Sequence, residues 1–360
     1  MIRPILTAAV LALVAAAPAR AETNKVIADG AGATGLSAFG GHLVWSSLDP
    51  ASKRWRLLHW HAGKVKPLPV PARSVPFDAD TGPDAAGHPV VVYSACAKEA
   101  APRAALEATG CHIVQVRLDA PGPPATVAGT DVPGTSATTP SRWRGSLAFA
   151  RHADGAPLST VVLVRGGKAK RLRGPAVLCD VDCDDRDIAT TLESLDLGER
   201  GAAFVWRQDG GDTFGITSNW FLAADSLDGN RQEVLSAGFV DGACGYVYPF
   251  APSVIGTGAF WVASGSPCDK TETVFAQDDP RSGRRREARE SSGLIFDAAR
   301  DGHTVFWLRA SKRRADQQLG FSAPCAEPRR QQPCAIVRST GLRWRTVPKG
   351  KSIGPYPESV

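Results

Sequence analysis

Beyond its first 21 residues, this 360-residue sequence has no apolar segment of membrane-spanning length, which excludes a helical membrane channel. It lacks any long run of apolar residues at helical spacing, which excludes a coiled coil and predicts almost no helix. It has little excess of either charge: 42 Lys and Arg stand against 36 Asp and Glu, a net of +6. A nucleic-acid-binding protein would concentrate basic residues on a face or stripe, so nucleic acid is not an expected partner. Methionine occurs once, at position 1. Disorder is excluded too, because 43% hydrophobic and 22% charged residues is ordinary globular composition.

Glycine and proline are plentiful, at 36 and 27 residues. That favours many turns, which short strands need and a helical bundle does not. Residues 1–21 read as a secretory signal. Arg3 supplies the positive start, Ile5 to Ala17 the apolar run, and Ala19 and Ala21 the small residues before a cleavage that leaves Glu22 first. The expected location is therefore secreted, periplasmic or in the cell envelope. The eight cysteines, all after this segment, suit an oxidising compartment. Neighbour pairing is the simplest of their connectivities: Cys96–Cys111, Cys179–Cys183, Cys244–Cys268 and Cys325–Cys334.

Six short runs rich in β-branched and aromatic residues read as buried strands. Their aromatic anchors are Trp45, Tyr93, Phe149, Trp206, Trp261 and Trp307, spaced by 48, 56, 57, 55 and 46 residues. A glycine precedes each run by a few residues: Gly41, Gly87, Gly145, Gly201, Gly258 and Gly302. Such spacing predicts an all-β, six-bladed propeller of four-stranded antiparallel blades. The blades are expected near 34–71, 75–130, 137–175, 190–238, 245–293 and 294–348, in one domain over 22–360. In the last unit, Leu342 to Val347 reads as the fourth strand. Residues just after Glu22 are also candidates to add a strand there and protect its edge. A seven-bladed ring, with 175–240 split in two, is the competing architecture. The stretch Gly82-Pro83-Asp84-Ala85-Ala86-Gly87-His88-Pro89-Val90-Val91-Val92-Tyr93-Ser94 resembles the Ser-Pro-Asp-Gly turn and following strand of TolB-type β-propeller repeats. The wider pattern is similar to exported propellers of high-GC bacteria. The resemblance implies six blades, with Asp84 capping the turn between a blade's first two strands.

No Gly-x-Ser-x-Gly nucleophile elbow and no sialidase-type Ser-x-Asp-x-Gly-x-x-Trp box occurs. His59 and His61 flank Trp60 on one strand and share a face, which suits either a metal pair or an outer face around a buried Trp60. Asp180, Asp182, Asp184, Asp185 and Asp187 read as calcium ligands or as a solvated acidic loop. Arg281, Arg284, Arg285, Arg286 and Arg289 read as an edge strand or long hairpin, or as a patch for anionic polymers. Before each glycine lies a small polar or acidic residue: Ser37, Asp78, Ser141, Ser194, Ser253 and Asp297, with Asp80 close by. If these line the channel mouth they form a ligand site, and Asp78, Asp80 and Asp297 could hold calcium. Alternatively each Asp caps its own tight turn.

With no nucleophile or cofactor signature, the favoured reading is a non-catalytic binding or scaffold protein. It is expected to be monomeric and to engage a protein or an envelope polymer. The alternative is a hydrolase or lyase acting on a sugar or peptide through channel carboxylates.

Overall fold

The computed structural model describes residues 24–156, 158–172, 189–212, 215–227, 232–240, 246–256, 258–266, 272–279, 284–289, 293–310, 325 and 334–347. The 1–21 segment, Cys179, Cys183, Cys244, Cys268, the aspartates from Asp180 to Asp187, and Arg281 lie outside them. The chain begins with β1 (Lys25–Asp29). Blade 1 then contains β2 (Ala33–Phe39), β3 (His42–Asp49), β4 (Arg54–His61) and β5 (Lys64–Pro67). Blade 2 contains β6 (Asp80–Pro83), β7 (Pro89–Ala95), β8 (His112–Arg117) and β9 (Ala125–Thr126). Blade 3 contains β10 (Thr135–Trp143), β11 (Ser146–Ala153), β12 (Thr160–Arg165) and β13 (Lys168–Arg171). Blade 4 contains β14 (Ala189–Leu197), β15 (Gly201–Asp212), β16 (Gly215–Ser226) and β17 (Gln232–Val240). Blade 5 contains β18 (Tyr246–Ile255), β19 (Gly258–Ser266), β20 (Glu272–Asp279) and β21 (Arg284–Arg289). Blade 6 contains β22 (Leu294–Asp301), β23 (Thr304–Ala310) and β24 (Cys334–Ser339). A last short strand is β25 (Arg345–Val347). Helix among the described residues is limited to a 3₁₀ segment, Pro102–Glu107.

The aromatic strands are buried because each lies between two neighbouring blades. Side chains alternate along a strand, so one residue faces one neighbour and the next faces the other. In β3, Leu43 and Trp45 pack with Phe306 and Leu308 of blade 6. Val44, between them, packs with Val91 and Tyr93 of blade 2. The same alternation yields one apolar cluster at each of the six blade interfaces. A strand covered on both faces needs an unbroken apolar run, which is why these anchors stand out. The innermost strands follow one another in contact around the ring, and β22 meets β2 to complete it.

The ring closes through the N-terminal strand. β1 pairs antiparallel with β24, from Lys25 opposite Arg338 to Asp29 opposite Ala335, and forms the outer strand of blade 6. This explains a departure from expectation. The segment ending at Val347 is not the fourth strand of blade 6, because β1 already occupies that edge. β25 instead pairs with β21, Arg285 opposite Val347, and becomes a fifth strand of blade 5.

Four innermost strands carry a β-bulge just before Ser37, Ser141, Ser194 and Ser253, and β22 carries one slightly earlier, between Ile295 and Asp297. In β2, β10 and β18 the bulge includes Gly35, Thr139 and Ala251, with φ of +69°, +50° and +51°. Thr139 and Ala251 sit in the left-handed region, which non-glycine residues seldom adopt. A bulge bends the strand and turns its N–H groups out of the ladder.

Candidate functional site

The register shows which residues are equivalent. Ser37 lies opposite Val44, Asp80 opposite Val92, Ser141 opposite Ala148, Ser194 opposite Val205 and Ser253 opposite Phe260. Each of these partners immediately precedes the aromatic anchor. Asp80, rather than Asp78, therefore holds the serine position in blade 2. In blade 6 that position is Ala299, opposite Phe306. Asp78 and Asp297 are equivalent to each other, two residues earlier.

Their carboxylates are clasps between blades. Asp297 Oδ2 accepts the bulge N–H of Gly35 at 2.6 Å and that of Leu36 at 3.0 Å, both in blade 1. Asp78 Oδ2 accepts the N–H of Thr139 in blade 3 at 2.8 Å. Its Oδ1 accepts the N–H and hydroxyl of Ser94 at 3.0 and 2.9 Å. Asp196, which sequence reading did not single out, accepts the Val254 N–H across the boundary of blades 4 and 5. Three even-numbered blades thus each offer an acid to the odd-numbered blade that follows. These aspartates bond backbone N–H groups of the next blade, and Asp78 and Asp297 also accept those of Ser94 and Ala298 in their own blades.

A second chain of bonds links the serine positions. Ser37 donates to Asp80 Oδ1 at 2.7 Å and accepts from the Thr81 N–H at 2.8 Å. Ser141 donates to Asp80 Oδ2 at 2.6 Å and accepts from the Leu197 N–H at 2.8 Å. Ser194 and Ser253 are half-buried on β14 and β18. Burial pushes the Asp80 carboxyl up to about 6, against the opposing pull of its two serine donors. Burial likewise raises Asp297 to about 6. Asp196 is raised well above the usual carboxylate range, by burial first and then by the nearby charge of Asp80. All three keep some accessible surface, as side chains of innermost strands do around a propeller axis.

Among the described residues, no group of three or more His, Cys, Asp or Glu side chains has its donor atoms gathered for a metal ion. On blade 1, His59 is buried, His61 exposed and Trp60 half-buried against Phe306. A third histidine, His42, joins them from β3. The arginine run forms β21, where Arg285 lies over the Trp261 ring at 4.9 Å. Asp84 caps its turn as the resemblance implied, accepting the Ala86 and His88 N–H groups, each at 2.9 Å. Gly82 in the preceding strand is required by close packing: a Cβ there would meet the Arg142 carbonyl oxygen at 1.9 Å. Disulfides join Cys96 to Cys111 and Cys325 to Cys334. No helix among the described residues is long and apolar enough to cross a membrane.

No protein-family model and no curated protein matches the chain. Solved structures do. One of two prolyl endopeptidases is 15% identical over 72% of this chain and 39% of its own, with a TM-score of 0.36. The β-propeller domain of the Trilobed protease from Pyrococcus furiosus is 8% identical over 81% of this chain and 98% of its own, with a TM-score of 0.38. The Pyrococcus horikoshii acylaminoacyl peptidase is 7% identical over 81% and 52%, with a TM-score of 0.39. The chain thus spans well under two thirds of the first and third of these proteins. Likeness at this level says nothing about activity.

Proposed function

We propose that this chain is an exported, non-catalytic binding or scaffold module of the TolB type, which offers a propeller face to a protein or an envelope polymer. One observation carries the reading: the acids best placed to be catalytic are engaged in holding blades together. Asp78 and Asp297 accept backbone N–H groups of the next blade, and Asp80 is held by two serine hydroxyls. A group that must accept or release protons in a reaction needs a bond free for its substrate.

A second reading, a hydrolase or lyase, is favoured by one feature. Asp80 and Asp196 interact electrostatically and both have raised pKa values, the kind of pair that can divide acid and base roles. The test is a panel of glycan and peptide substrates with the wild type and the Asp80→Asn and Asp196→Asn variants. The expected result is no turnover by any of them. Turnover that Asp80→Asn abolishes, with the melting temperature unchanged, would establish the second reading.

A further inference from the structure

The face that blade 1 turns toward blade 2 changes character along its length. On β4 it runs Trp55, Leu57, His59, His61; the first two are buried in the interface with blade 2, and histidines replace them toward the hairpin end. On β3 the same face runs Ser46, Val44, His42, with His42 opposite His61 and Val44 opposite His59. Three imidazoles therefore occupy one corner of a sheet, two on one strand at i and i+2 and one directly across. Apolar side chains would serve there if packing were the sole requirement.

From this juxtaposition we propose that His42, His59 and His61 form a binding site for a divalent late transition ion such as zinc. The ring centroids are 4.0 Å apart for His42 and His61, 5.0 Å for His42 and His59, and 6.3 Å for His59 and His61. Three imidazoles on one tetrahedral ion hold their centroids about 5 Å apart. The backbone thus sets the rings at chelating distance. As they stand, the rings are stacked, within 20° of parallel, and their nitrogens do not converge. His42 Nδ1 and His59 Nε2 share a hydrogen bond of 2.8 Å, which leaves one ring a donor and the other an acceptor. An ion would take the place of that shared proton, and rotation about the Cβ–Cγ bonds would turn the stack into a tripod.

Charges of both signs surround the site: Asp119 is paired with Arg117, and Asp301 accepts the Gly41 N–H. Asp119 and Asp301 both act on His42 with negative charge, and Lys66, opposite His59 on β5, is exposed and opposes them. His42 and His59 are buried beside one another, and their shared hydrogen bond needs an unprotonated nitrogen on one ring, the form of imidazole that ligates. His61 is exposed and its Nδ1 lies 3.1 Å from the Gly41 carbonyl, so the ion would enter from solvent.

The experiment is calorimetric titration of the untagged full chain with zinc, with cobalt absorption as a geometric probe. One equivalent of zinc should bind and raise the melting temperature. His61→Ala should weaken binding by about tenfold or more, as should His59→Gln. His61 is exposed, so its variant keeps the test valid if changes at buried His59 disturb folding. Equal zinc affinity in the wild type and His61→Ala, or no saturable binding by the wild type, would overturn the site.

Discussion

Asp80 and His59 titrate in opposite senses within the same pH interval. The Asp80 carboxyl rises from 3.8 to about 6 on folding. Between those values the folded chain holds a proton that the unfolded chain has lost, so this group makes stability fall as pH rises. A shift of two units corresponds to about 3 kcal/mol. His59 falls from 6.5 to about 4. Between those values the unfolded chain holds the extra proton, so this group makes stability fall as pH drops. Asp297, also raised to about 6, and Asp196, raised well above the carboxylate range, act in the same sense as Asp80, while the lowered His42 acts with His59. Melting curves from about pH 4 to 6.5 should show less decline toward high pH in Asp80→Asn than in the wild type. His59→Gln should show less decline toward low pH. Parallel curves for all three would contradict both assignments. Much at this scale was visible in the residue pattern: Asp78, Asp80 and Asp297 stood out by position, and Asp84 by its turn chemistry. Asp196 did not, because it lies two residues past its blade's serine position, and only the bulges bring it to Val254.

At the scale of the element, second strands were the most legible part. Burial on both faces forces an unbroken apolar run, as in Leu43-Val44-Trp45, and that run survives any change of loop length. Outer strands leave a weaker mark. β5 and β13 are short, exposed and rich in lysine, a composition that blunts an edge against association but fits a loop equally well. The strand at Arg345–Val347 joins blade 5 rather than the expected blade 6 for a related reason, since two exposed residues and one buried valine carry little partner preference. β1 shows its worth through what it covers. Without it, the edge of β24 is open, and Ile27 no longer packs against the cluster of Trp45, Phe306 and Ile336. Deleting residues 22–30 should lower the melting temperature and promote aggregation, measured by unfolding curves and light scattering. A truncated chain that melts like the wild type would show that the ring closes without this strand.

For the whole molecule, two layers of interaction join the blades. Apolar clusters at all six interfaces supply most of the burial and are indifferent to exact partners. The innermost bonds are specific: Asp297 reaches from blade 6 to blade 1, Asp78 from blade 2 to blade 3, and Asp196 from blade 4 to blade 5. Ser37 and Ser141 extend the stitching from blade 1 to blade 2 and from blade 3 to blade 4. Acid and serine links thus alternate from blade 6 through blade 1 to blade 5, a relation hidden in a sequence whose blades differ in length and register. The central claim is that these acids hold blades together rather than perform chemistry. Thermal unfolding of Asp78→Ala and Asp297→Ala, with the exposed Asp119→Ala as control, tests it most directly. Removing the Asp297 carboxylate strands the N–H groups of Gly35 and Leu36, at a cost of about 2–4 kcal/mol. The account predicts a fall of about 3–6 °C for Asp297→Ala, a similar fall for Asp78→Ala, and little change for the control. Melting temperatures for Asp78→Ala and Asp297→Ala indistinguishable from that of the control would contradict it.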